Sequence, residues 1–308
     1  MVRRRIPRRW SVALWIAGAL ALSVGGLGLA LVLSAPSPPA ALASAVPPKE
    51  IPASWVSSEE PAADPRAARA DEPAPGLAMP YTTAGTLALF ANGKPFGEET
   101  YELRIADEGT TLTSSGRFWL KVVLVTARVA FEQTLKADSN LRPTSHVAQF
   151  HAPLGMDRSI RAAVAGDRFL VERSGKEEEI EVDRDRAFTL GTFSTYALLP
   201  HLFALRQKAG SASFQILMLG GPPSQEAGAS PVMAVQYAGP ARLVAGESVL
   251  GVDRDRISSA AGDSDLYARG AEFLAFRADT EDNALWVCRA DLFPNGVEVV
   301  DDGPPSAP

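Results

Sequence analysis

Three histidines, one cysteine and a twice-used Asp-Arg-Asp-Arg string are the residues of this 308-residue chain with the chemistry to ligate, attack or titrate. His146 and His151 stand five apart, off the i,i+4 spacing that puts two imidazoles on one helix face, and Pro143 and Pro153 beside them point to loop or strand. With His201 alone to add, ordinary core or surface roles outweigh a metal site. The string at 182–186 (VDRDR) returns at 252–256, but the flanking residues differ, so it is no internal repeat. On a strand, Asp183 and Asp185 face one way and Arg184 and Arg186 the other. Asp183, Asp185, Asp253 and Asp255 could assemble a calcium site; strand ends guarded by charge are the favoured reading. Asp263 and Asp265 read first as turn residues. Cys288 alternates with Val287 and Arg289 on a candidate strand, the setting of a buried, inert thiol.

Sequence signatures of catalysis are missing. There is no G-x-S-x-G elbow, no Walker A loop and no G-x-G-x-x-G opening a helix. Gly220-Gly221-Pro222-Pro223 has no helical pattern after it and reads as a loop rather than a phosphate cradle. The expectation is a non-enzymatic protein with no cofactor and no metal. Thirty basic against thirty-six acidic residues give a formal charge of −6, which disfavours nucleic acid as a partner. A single cysteine excludes an internal disulfide framework.

The elements that hold these residues begin with a membrane segment. Residues 1–10 (MVRRRIPRRW) carry five arginines and no acid, and residues 11–34 (SVALWIAGALALSVGGLGLALVLS) carry no charge. As a helix, 24 residues span roughly 36 Å, enough for a hydrocarbon core of roughly 30 Å. Trp10 and Trp15 suit its interface. The arginine flank predicts an amino terminus in the cytoplasm and the remainder outside a bacterial inner membrane. A cleaved secretory signal ending at Ala43-Ser44-Ala45 is the rival reading. The apolar run is long for a signal and three prolines separate it from that site, so a single transmembrane anchor is preferred.

Residues 35–80 contain 11 prolines and 13 alanines with no apolar periodicity, the composition of a disordered, semi-rigid tether. At about 3.1 Å per residue it could reach roughly 140 Å. Residues 81–302 follow as an extracytoplasmic domain large enough for its own core, and 303–308 as a disordered tail. Setting the basic amino terminus and the tether apart leaves that domain moderately acidic, which argues against adhesion to anionic headgroups through its general surface.

The pattern from residue 81 onward is short apolar alternation broken by Gly, Asp, Asn and Pro. Residues 86–91 (TLALFA) and 98–105 (EETYELRI) flank Asn92-Gly93, a hairpin signal, with Lys94-Pro95 widening the loop. In the second run Glu99, Tyr101, Leu103 and Ile105 share one face. Residues 118–125 (FWLKVVLV) are apolar on both faces, as expected of a strand covered twice over. Residues 128–135 alternate again. Further strands are predicted at 145–150, 159–165, 168–172, 177–183, 212–219, 231–238, 242–253, 267–278 and 284–290. One helix, 195–208 (TYALLPHLFALRQK), interrupts them, with Pro200 to start or kink it. The fold class is mainly β: a curled antiparallel sheet, a half-open or closed barrel, with one central helix plugging its open side.

Residues 87–116 (LALFANGKPFGEETYELRIADEGTTLTSSG) carry a strand, a Gly93-x-x-x-Gly97 hairpin and a Glu99/Tyr101/Leu103 strand. This run resembles the opening of a family of secreted bacterial domains of unknown function. The segments 138–146 (DSNLRPTSH) and 284–300 (ALWVCRADLFPNGVEVV) look similar to its middle connection and closing strand pair. Such domains are similar in architecture to lipoprotein-localisation factors, in which a half-open barrel covers an apolar cavity. The resemblance implies a carrier of a lipid or other apolar ligand, or a scaffold of that shape; the anchor and tether depart from a freely shuttling carrier. Tyr101, Leu103, Phe118, Leu120, Val122, Val129 and Phe131, which alternate onto one face, are the candidate ligand lining, although such residues are more often simply core. The alternative is a structural or adaptor protein of the cell envelope, partnered by another envelope protein and filled by its own side chains.

Overall fold

The computed structural model describes residues 80–122, 125–153, 157–173, 175–207, 210–218, 232–259, 262–279 and 284–300. The expected cytoplasmic segment, the anchor, the tether up to residue 79 and the tail lie outside these. Among the described residues no helix is long and apolar enough to cross a membrane.

Among the described residues sixteen strands follow one another: β1 Tyr81–Ala91, β2 Lys94–Ala106, β3 Gly109–Val122, β4 Val125–Ala137, β5 Pro143–His151, β6 Arg158–Ala165, β7 Arg168–Arg173, β8 Lys176–Glu181, β9 Ala187–Leu190, β10 Ser211–Met218, β11 Val232–Ala245, β12 Ser248–Ser259, β13 Gly262–Arg269, β14 Glu272–Asp279, β15 Ala284–Arg289 and β16 Glu298–Val300. Between β9 and β10 lie a 3-10 helix, Phe193–Leu198, and the helix α1, Leu199–Arg206. Together these two make the plug. Pro200 sits in the first turn of α1, where its missing N–H costs nothing.

One sheet takes in every strand, in the order β8-β7-β6-β5-β4-β3-β2-β1-β15-β14-β13-β12-β11-β10-β9, with β16 added on β11. All neighbours are antiparallel except β9 and β10. The chain therefore runs outward from β1 to one edge, steps from β8 to β9 at the other, and returns to β15 beside β1. The edges do not pair with each other among the described residues, so the sheet is curled and not closed. Edge strand β8 carries Lys176, Glu177, Glu178, Glu179 and Glu181, a run of charge that discourages pairing with another chain.

Alternation sorts the side chains onto two faces. Leu87 and Leu89 of β1 and Leu285 and Val287 of β15 point into the concave core, which the plug covers. Phe90, Trp286 and Cys288 point to the convex side, where Leu292, Phe293 and β16 fold over them. The middle of the sheet is thus buried on both faces.

Several expected strands are corrected in extent. The run 118–125 is not one strand: β3 ends at Val122, β4 begins at Val125, and those two residues pair. Its apolar positions on every parity hide the change of direction, and the connecting Val123-Leu124 holds no turn residue. The stretches 242–253 and 267–278 likewise each cross a hairpin, at Gly246 and Gly270, both with positive φ. The first half of β3 (TTLTSSG) is strand as well, and its polar Thr and Ser gave no apolar alternation to find. Asn92-Gly93 forms a two-residue turn with both φ positive, and Lys94 already pairs with Ala91; the misfit is absorbed by a register shift after Leu89 instead of a wider loop. Residues 252–256 are no strand end: they lie mid-β12, paired with β11 and β13. Residues 182–186 do form the turn between β8 and β9.

Gly116 of β3 marks the tightest point of the concave wall. A Cβ there would stand 2.4 Å from the Glu98 carbonyl oxygen and 2.6 Å from the Phe131 ring. Gly116→Val is expected to cost about 1–3 kcal/mol by overpacking, read as a lower urea midpoint at unchanged slope. An unchanged midpoint would mean that the Phe131 ring and the β2–β3 ladder move aside freely.

Candidate functional site

Strand register builds the concave wall rung by rung. Glu99, Gly116, Phe131 and Phe150 stand side by side across β2, β3, β4 and β5. Tyr101, Ser114, Gln133 and Ala148 make the next rung, and Leu103, Leu112, Leu135 and His146 the one after. Phe118 and Val129 pair one rung beyond Gly116. Directly paired residues share a face, so the candidate ligand lining lies on a single surface.

Of that lining, Tyr101, Leu103, Phe118, Val129 and Phe131 are all buried in the main core. Phe118 and Phe131 rings lie 5.8 Å apart, and Phe131 and Phe150 6.2 Å. Leu120 and Val122 belong to β3, but their side chains fall outside the described ones. The plug caps the wall: Phe193 packs edge-on to Phe96 of β2 at 6.3 Å, and Tyr196 stacks on Phe276 of β14 at 3.9 Å. A small apolar cavity of about 10 Å³ remains at one side, between Leu198 and Leu202 of the plug and Leu135, Leu141 and Phe188. That is room for about one water.

The same wall carries a buried polar cluster. The Glu99 carboxylate is fully buried and accepts hydrogen bonds from the Thr192 hydroxyl and from the Ser194 backbone N–H at 2.9 Å. Ser114 Oγ lies 3.3 Å from Thr192 Oγ1. Gln133 donates to Ser194 Oγ at 3.0 Å, and its carbonyl oxygen accepts the Thr192 N–H at 3.1 Å. His146 Nε2 lies 3.0 Å from that same oxygen, which makes Nε2 the donor. Gly191 lets these groups meet, since a Cβ there would stand 2.4 Å from Gln133 Oε1. At the far end, Arg206 donates to the carbonyls of Ala187, Asn140 and Leu141.

Burial governs the titration of this cluster. Desolvation raises the Glu99 pKa, against the hydrogen bonds from Ser114, Thr192 and Ser194 that favour its anion. Desolvation likewise lowers His146 and His201 to about 4, so both imidazoles are neutral near pH 7. Thr192 and Ser194 bond to Glu99 and Gln133 rather than to His146. Its bonds fasten the plug to β2, β3 and β4.

The other sites considered from the sequence resolve into structure. Cys288 is fully buried, its thiol pKa pushed up by desolvation, with Sγ 3.8 Å from the Ala88 and Phe293 carbonyls. Asp183 shapes its turn by accepting the Asp185 N–H at 3.0 Å, while Arg254 pairs with Asp265 at 3.0 Å across β12 and β13. Among the described residues no group of three or more His, Cys, Asp or Glu is placed to hold a metal ion. A second polar knot escaped the sequence reading: buried Arg289 forks onto Asp291 and reaches Glu272, beneath Tyr101.

No family model matches the sequence, and no curated protein matches it. Among solved structures the chain is similar to the crystal structure of a β-barrel-like protein of the Domain of Unknown Function DUF1849 from Brucella abortus. The two share 12% identity with a TM-score of 0.44, over 72% of this chain and 98% of that one.

Glu99 gives a pH test. Because its folded pKa is raised, its stabilising contribution is present below the unfolded value near 4.5 and lost as pH rises through the folded value. Measured against Glu99→Gln by urea unfolding of the full chain in detergent micelles, the wild type is expected to lose ground steadily above about pH 4.5. A wild-type-minus-variant difference that stays flat or grows with pH would contradict the buried-carboxyl account.

Proposed function

We propose that this protein is a membrane-anchored, extracytoplasmic envelope protein whose β domain binds a lipid or another apolar ligand on its concave wall, without catalysis. The anchor is the uncharged run 11–34 with its arginine flank, the tether is the proline-rich stretch after it, and the host is a bacterium. The observation carrying the reading is that Tyr101, Leu103, Phe118, Val129 and Phe131 share one buried wall whose cover is a separate segment, held by apolar packing and by polar groups at its head. An apolar ligand and that cover would compete for one surface.

The second reading, a structural or adaptor role, is favoured by the packing itself. Tyr101, Leu103, Phe118, Val129 and Phe131 are buried by the protein's own side chains, and the small cavity beside the plug has space for about one water. Under it the covered domain is the working form, and the convex surface and edges meet another envelope protein.

Native mass spectrometry of the full chain, released from its host's membranes in mild detergent, separates the two. A stoichiometric lipid that is lost on Phe131→Asp, in a variant retaining its β-sheet circular dichroism, is the expected result. A ligand-free chain that instead carries one envelope protein at fixed stoichiometry would overturn the carrier reading in favour of the adaptor.

A further inference from the structure

The plug is a long connection whose departure would leave every described strand pairing intact. It joins β9 to β10, which pair with each other in parallel, so the crossover can leave the concave wall while both strands keep their ladder. Two of the chain's three histidines are buried against it. His201 rides on α1, wholly buried, edge-on to Tyr81 of β1 at 4.5 Å, and neither ring nitrogen has a hydrogen-bond partner. His146, on β5, holds the Gln133 oxygen that also takes the Thr192 N–H, and its Nδ1 is unpartnered. Three buried, unsatisfied ring nitrogens, one beside the head of the plug and two within its helix, are a standing cost that water would remove. His151, by contrast, is exposed and sits 3.6 Å from Asp157, away from the plug.

We infer that the plug is an acid-released cover, with His146 and His201 as the groups that sense the proton, and that its release bares the concave wall to an apolar ligand. The last clause rests on the carrier reading above; the release does not. Protonation needs a charged imidazole to find water or an anion, and in the closed form both His201 ring nitrogens and His146 Nδ1 have no hydrogen-bond partner. Tyr81 of β1 faces the His201 ring and Gln133 of β4 the His146 ring; Glu99 of β2 and Ser114 of β3 join the same cluster through Thr192, and Tyr196 of the plug stacks on Phe276 of β14. Arg206 at the plug's end faces Arg142, Asp138, Asp183 and Asp185. Glu99 acts against release, because its raised pKa makes the closed form hold its proton more tightly as the pH falls. The histidines act for it: depressed folded pKa values mean closure is favoured above about 6.5 and lost as pH falls toward about 4. At pH 5 each imidazole exposed on release shifts the equilibrium about thirty-fold toward the open form.

Hydrogen exchange of the full chain in lipid nanodiscs, corrected for intrinsic rates, tests this. Between pH 7 and pH 5 the amides of residues 192–206 are expected to lose protection while β1–β4 keep theirs, and His201→Phe should diminish the loss about thirty-fold. Plug protection that is unchanged at pH 5, or lost together with the β-ladder, would overturn the inference. A second variant covers a misfolded first one: Ser114→Cys with Thr192→Cys, whose parent hydroxyls lie 3.3 Å apart, should hold the plug at pH 5 when oxidised and free it when reduced. A dansylated fatty acid then reads the ligand. Uptake by the reduced form alone supports both claims. Release without uptake upholds the cover and sinks the carrier reading.

Discussion

A carboxylate on the inward side of an apolar strand is the constraint around which this domain is arranged. Glu99 alternates with Tyr101, Leu103 and Ile105, so period-two geometry drives it into the core with them. An ionisable group there must be met by donors, or it costs several kcal/mol. The strands beside it spend their own N–H groups on the ladder. Donors must therefore come from side chains or from a segment outside the sheet: Ser114 of β3 provides one, and Thr192 and Ser194 at the head of the plug the others. One buried charge fixes where the plug begins, and the plug fixes how the concave wall is closed.

The plug could not hold that position by its own helical propensity. Eight residues of α-helix after one 3-10 segment are too few to be stable alone, and neither helix has a side-chain cap. Its order is borrowed from the wall through the Glu99 and Gln133 bonds, the Tyr196–Phe276 stack and the Arg206 clamp on three carbonyls. The strands are different: each central one is paired on both sides and packed on both faces. A domain built this way has one weak element laid over a strong frame, and local opening belongs to the weak element.

What could be read from the sequence follows the same division. The curled, mainly antiparallel sheet, the single helical interruption and the shared face of Tyr101, Leu103, Phe118, Val129 and Phe131 all come from alternation and turn residues, which are local signals. Hairpins inside 118–125, 242–253 and 267–278 were hidden, because apolar residues on both parities erase the two-residue period. The polar cluster was half legible. Glu99 was placed on the apolar face by its parity, and Ser114, Gln133 and His146 fall on the same face once the register is known. Register is a property of paired strands and is set by turns and bulges, such as the shift after Leu89. Thr192 and Ser194 meet Glu99 across more than ninety residues of chain, a contact that no local pattern announces. The two Asp-Arg-Asp-Arg strings show the limit from the other side: identical residues form a turn at 182–186 and the middle of a strand at 252–256, because neighbouring strands, not the string, decide the pairing.

The polar cluster also bears on why the wall is closed with hydrogen bonds at all. A cover made only of Leu and Phe would bury the wall at about 25 cal/mol per Å² with no orientation preferred. Threading Thr192 and Ser194 between Glu99 and Gln133 selects one register for the plug, since a slide by one residue would part the carboxylate from the Thr192 hydroxyl and the Ser194 N–H. Gly191 enforces the same choice sterically, as any larger residue there would strike Gln133 and His146. Specific placement obtained through polar bonds has a consequence that apolar packing lacks. Those bonds can be exchanged for bonds to water, the neutral ones contributing only about 0.5–1.5 kcal/mol each and those to the Glu99 carboxylate about 1.5–3 kcal/mol, so the feature that positions the cover is also one that solvent and protons can replace.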